Sequence, residues 1–110
     1  MLTTRHFDHV HAFLHARLDP LLKSARALHS DPLVTALAAM VHAVDTAHDC
    51  GTHVLATGGW APVDRGRIVA EYWERLTDLA HGWQEHPSYE GDFELNADEL
   101  GGVAPLQVQP

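Results

Sequence analysis

Ten histidines in 110 residues, several of them one helical turn from an aspartate, are the side chains of this sequence best equipped for chemistry. On a helix, Asp8, His11 and His15 fall within about 60° of one another, so a carboxylate and two imidazoles form one stripe. Two histidines four residues apart can reach one divalent ion, and a carboxylate can complete three ligands. A second strip, His42, Asp45 and Asp49, lies on the polar side of a later helical segment. Close by, His48, Cys50 and His53 place a thiol and two imidazoles within six residues. This spacing fits no zinc-finger pattern, and there is no second cysteine. Each group also has a plain structural reading. The first can be a solvated flank in which an aspartate partners a histidine, and His48, which faces an apolar stripe, can be a buried, hydrogen-bonded side chain. A helical bundle can bring two such strips together as an interhelical carboxylate–histidine site, although the Glu-x-x-His pairs of di-iron bundles are missing.

The elements that must position these groups read as helices. Phe7, Val10, Phe13, Leu14, Leu18, Leu21, Ala25 and Leu28 recur at spacings of three and four, predicting a helix over 5–28 with a kink or break at Pro20. Ser30-Asp31-Pro32 is a start signal. It opens a second stripe (Leu33, Leu37, Met40, Val41, Val44, Ala47) that Gly51 is expected to stop. Val54-Leu55 reads as a final turn or a short extended piece, Thr57-Gly58-Gly59 as loop, and Trp60 as a lid on the core. A third helix, with Asp64 as cap, carries Ile68, Val69, Tyr72, Trp73, Leu76, Leu79, Ala80 and Trp83 on one face and ends at His86-Pro87. The expected fold is all-α: a three- to four-helix bundle over residues 1–87. Residues 88–110 are expected as an extended acidic tail, strapped to the bundle through Tyr89, Phe93 and Leu95 and disordered over its last ten residues.

Charge divides the chain the same way. Residues 1–84 carry −2, while residues 85–110 carry six acids and neither Lys nor Arg, giving −6 of the total −8. A near-neutral body with an acidic tail argues against direct nucleic-acid binding, which depends on cations meeting phosphates. It suits a protein partner with a basic surface, met by Glu90, Asp92, Phe93, Glu94, Asp98 and Glu99. Homodimer formation is a further expectation for any apolar face left uncovered. The lone Cys50 rules out an internal disulfide and favours a reducing compartment. No signal peptide and no membrane span are read, so a cytoplasmic location is expected.

Three segments together resemble a family of small actinobacterial and actinophage proteins known only as a domain of unknown function. They are Phe13-Leu14-His15-Ala16-Arg17-Leu18-Asp19, Ala47-His48-Asp49-Cys50-Gly51 and Leu79-Ala80-His81-Gly82-Trp83-Gln84-Glu85-His86-Pro87-Ser88-Tyr89. The likeness is to an opening helix of the type FLRARLDE and a late turn of the type HPDY, across residues 7–93. Pro20 and the lack of an arginine-rich middle helix depart from that pattern. The resemblance implies a helical fold and an actinobacterial or phage source, and it carries over no catalytic residue.

Nucleophilic catalysis has little support. Cys50 lies near a helix C-terminus, where the dipole disfavours a thiolate. No serine sits in a G-x-S-x-G elbow, and Gly58-Gly59 is too short to cradle a phosphate. The leading expectation is a helical protein-interaction or regulatory module. The first alternative is a metal-binding bundle, with a divalent ion such as zinc on Asp8, His11, His15, His48, Cys50 and His53. A small-molecule-binding or enzymatic helical domain, with a pocket beneath Trp60, is the second alternative.

Overall fold

The computed structural model describes residues 1–106. Three helices account for most of them: α1 (Thr4–Ala27), α2 (Asp31–Ala56) and α3 (Pro62–Ala80), followed by short 3-10 turns at His81–Trp83 and Gly91–Glu94. The all-α expectation is met. None of the helices is long and apolar enough to cross a membrane.

α1 begins with a cap the sequence does not advertise. The backbone N–H of Thr3 donates to His6 Nδ1 at 3.1 Å, the imidazole filling the role usually taken by Glu or Gln in a capping box. The helix then runs unbroken through Pro20, contrary to the expected break. Proline removes one hydrogen bond, the one to the Ala16 carbonyl, and both residues are exposed, so water can serve that oxygen. On either side Leu18, Leu22 and Ala25 are buried, and this packing keeps the helix whole. His29, in the left-handed region at φ 52°, turns the chain into α2.

Gly51 does not stop α2, which continues five residues to Ala56 with Val54 and Leu55 buried in its final turns. It serves packing instead. A Cβ at Gly51 would overlap the fully buried Phe7 ring, so glycine permits α1 and α2 to approach closely at this level. α3 also departs from its expected bounds. Its N-cap is Ala61 with Pro62 in the first turn, and Asp64 lies inside that turn, where its charge suits the helix dipole. The α-helix ends at Ala80, short of His86-Pro87, and tightens into the 3-10 turn. Trp60 is no lid: its ring is 41% exposed beside the α2–α3 loop, its indole N–H donating to Thr57 Oγ1.

The core joins all three helices, with Phe7, Val10, Leu14, Leu18, Val44, Val69, Trp73 and Leu76 almost wholly buried. Residues 84–106 return along the molecule. Phe93 is inserted among Phe13, Trp73 and Tyr89, and Trp73 Nε1–H donates to the Leu95 carbonyl at 2.9 Å. Part of the stretch expected to be disordered is paired. Leu2 N–H donates to Gly102 O, and Ala104 N–H donates to Leu2 O, a short parallel bridge that ties both ends of the described chain together. Leu2 is fully buried, so the apolar anchor and the paired backbone fix this segment. Residues 107–110 of that expectation lie outside the described residues.

Gly51→Ala is expected to destabilise the protein. Overpacking against Phe7 costs about 1–3 kcal/mol, more than the gain of up to about 1 kcal/mol in helix propensity offsets. Thermal unfolding should show a lower Tm, and Phe7→Leu in the same chain should recover part of the loss. An unchanged or higher Tm for Gly51→Ala alone would refute the close-approach role.

Candidate functional site: a histidine–aspartate band between α1 and α2

The antiparallel register of α1 and α2 places imidazoles opposite carboxylates. One turn along from the Phe7–Gly51 contact, Asp8 Oδ1 meets His48 Nε2 at 2.7 Å. Next, Asp45 Oδ1 accepts from both His11 Nε2 (2.8 Å) and His15 Nε2 (2.6 Å). The His15 Nδ1 continues the line to both oxygens of Asp19, each at 3.1 Å. His48 Nδ1 reaches Asp49 at 3.0 Å, and the His48 ring stacks on His11 with centroids 4.2 Å apart and planes 28° apart. Three imidazoles and four carboxylates thus form one continuous band across the helix pair.

Its electrostatics follow from the hydrogen bonds. His15 has a carboxylate at each nitrogen, which suits the doubly protonated ring. The bond to Asp45 lifts its pKa most, Asp19 adds to this, and partial burial opposes them. Asp45 is held below the ordinary carboxylate value, first by the His15 hydrogen bond. For His48 burial is the largest single influence and pulls downward, yet Asp8 and Asp49 together outweigh it and the pKa is raised. His6 is the contrary case. Burial lowers its pKa, despite Asp92 nearby, and its Nδ1 is already committed to the Thr3 N–H.

The structure redistributes the residues singled out in sequence. His11 and His15 come together as the helical stripe implied, but Asp45 of α2 closes the group, and Asp8 is drawn away to His48. One ring nitrogen each of His11 and His15 and one carboxylate oxygen of Asp45 all lie within 4.8 Å of one another. Cys50 is not gathered with His48 and His53. It lies against the Tyr72 hydroxyl, whose pKa its proximity raises, while His53 is exposed at the end of α2. His48 is half-buried and hydrogen-bonded. In the C-terminal segment Phe93 is buried, while Glu90, Asp92, Glu94, Asp98 and Glu99 are all exposed, Glu90 contacting His9 at 3.2 Å and Asp92 contacting His6 at 3.4 Å. Asp19, outside every proposed ligand set, proves to be the partner of His15. Its position four residues on was the available signal.

Comparison with protein-family models, with curated proteins and with solved structures gives no match for this chain.

The pKa directions predict how stability varies with pH. A raised histidine contributes stability that is complete below its unfolded value, about 6.5, and is lost as pH rises through the raised folded value. His15 and His48 should therefore favour the folded state in mild acid. His6, with its pKa lowered, works oppositely and loses its contribution as pH falls through its folded value. Denaturant titrations from mild acid to mild alkali should show Asp45→Asn weakening the His15-dependent loss of stability on the alkaline side. An identical pH profile in that variant would contradict the assignment.

Proposed function

We propose that this protein binds a divalent metal ion between α1 and α2, with His11 Nε2, His15 Nε2 and an Asp45 carboxylate oxygen as its protein ligands. The observation that carries this reading is the convergence of two imidazole nitrogens on one carboxylate oxygen at 2.8 and 2.6 Å. Two N–H protons now occupy the gap. With ligand bonds of about 2.0–2.2 Å in tetrahedral geometry, donor atoms sit about 3.3 Å apart, so opening the group by well under 1 Å makes room for the ion.

The donor set points to zinc or a neighbouring transition metal rather than to magnesium or calcium, which take oxygen ligands. With the ion in place of the Nε2 proton, Asp19 would complete a carboxylate–histidine–metal arrangement, since it accepts from His15 Nδ1–H and so leaves the Nε2 lone pair to the ion. Three protein ligands leave a fourth position to water, since the His11 and His15 side chains retain 29% and 28% exposure. Asp8, Asp19, Asp45 and Asp49 give the band a negative field that attracts a cation and disfavours an anionic substrate. These half-exposed pairs contribute at most about 1 kcal/mol each to folding, so stability is a weak reason for assembling the band.

The test is titration of tag-free protein with Zn²⁺ by calorimetry, with elemental analysis of the dialysed product. One ion per chain is expected. At a hundredfold excess over Kd, the bound ion should stabilise the fold by about 2.7 kcal/mol. Binding should weaken as pH falls through the raised pKa of His15, because its Nε2 must release a proton to the ion. Asp45→Asn, or His11→Ala with His15→Ala, should abolish stoichiometric binding, whereas His53→Ala should leave it intact. Retention of the metal by the double histidine variant would sink the proposal.

A further inference from the structure

A cavity of about 760 Å³ is walled by the α2–α3 loop, the first turns of α3 and the returning C-terminal segment. Gly58, Trp60, Arg65, Gly66, Ala97 and Val103 are among its lining residues. This volume lies within the range of small-molecule sites, and the lining combines apolar surface with a few polar groups.

Gly66 is the informative residue. It sits inside α3, where glycine costs about 0.5–1 kcal/mol relative to alanine. At Gly51 that cost has a packing reason, because a Cβ would overlap Phe7. A Cβ at Gly66 would meet nothing within 4 Å, and its φ is not in the left-handed region. Neither the fold nor the backbone conformation requires glycine there. Glycine there leaves the α3 backbone open to the cavity.

The remaining walls define what that molecule is. Trp60 presents a partly exposed indole whose N–H is held by Thr57 Oγ1 at 3.2 Å, which gives a flat ring a surface to stack on. Arg65 supplies the charge. Two of its five N–H donors go to the Ala104 and Leu55 carbonyls, and its Nε is buried without a partner. Among the described residues no carboxylate pairs with it, whereas neighbouring Arg67 is neutralised by Glu71 and Asp64. The positive end of the α3 dipole adds to the Arg65 charge, and Asp98, which also lines the cavity, makes no ion pair with Arg65. We infer that the cavity binds a small planar aromatic molecule carrying one acidic group, its ring between Trp60 and the α3 backbone at Gly66 and its acid toward Arg65. This site is independent of the metal reading.

The experiment titrates the full chain with 2-naphthoate and with its neutral analogue 2-naphthylmethanol, followed in ¹H–¹⁵N spectra that resolve the Trp60 indole and the glycine amides. Saturable shifts at Trp60, Gly58 and Gly66 are expected, with the acid binding about tenfold more tightly than the alcohol. Gly66→Leu should fold with an equal or higher Tm and lose at least about tenfold in affinity, because its side chain fills the cavity. His11→Ala with His15→Ala should bind the acid like the parent, which separates this result from the fate of the metal proposal. No saturation by about 1 mM of either compound, unchanged affinity in Gly66→Leu, or equal binding of acid and alcohol would overturn the inference.

Discussion

The close approach of Phe7 to Gly51 is the contact on which the arrangement of this molecule turns. A glycine inside α2 forgoes helix propensity, and in return the Phe7 ring lies directly on the α2 backbone. Phe7 in turn packs edge-on against Trp73 of α3, so one ring links all three helices. The approach also fixes the register of the α1–α2 pair. Each turn forward along α1 is met by a turn back along α2, and this matching puts Asp8 across from His48, and His11 and His15 across from Asp45. A slip of one turn would leave the imidazoles opposite other side chains, with the helices themselves unchanged.

The returning segment closes the other side of the core. Phe93 fills the space between α1 and α3 with an aromatic cluster, and the Trp73 indole N–H, otherwise stranded in a buried ring, donates to the Leu95 carbonyl. The acids nearby accompany this apolar anchoring. Glu90 and Asp92 are turned toward His9 and His6, at 3.2 and 3.4 Å. The acids of this segment are therefore spread from α1, beside which Glu90 and Asp92 lie, to α3, along which Glu94, Asp98 and Glu99 lie.

Energetics separate the two kinds of interaction. Burial of Phe7, Leu14, Trp73 and their neighbours contributes roughly 1.5–3 kcal/mol per large side chain, enough for these residues to govern folding. The histidine–aspartate pairs stay partly solvated, and water competes for each of them. The apolar contacts hold two imidazoles in place around one carboxylate oxygen, and under the metal-binding proposal this spares the ion that ordering cost.

Local pattern alone was enough to make the helices legible. Apolar residues at spacings of three and four mark α1, α2 and α3, and the i, i+4 relation of His11 and His15 marks half of the candidate site, because both depend only on 3.6 residues per turn. The same local reading misassigned Gly51, whose meaning as stop or packing contact depends on what lies across from it. It also misassigned Trp60, whose exposure depends on where the α2–α3 loop falls. Tertiary structure alone decided that Asp45 rather than Asp8 completes the histidine pair, that Cys50 faces Tyr72, and that Val103 finishes beside Leu2. Those outcomes come from the register between elements distant in the chain. Periodicity states which face of a helix is apolar, but it leaves the vertical offset of one helix against another to the packing of particular side chains, here a phenyl ring on a glycine.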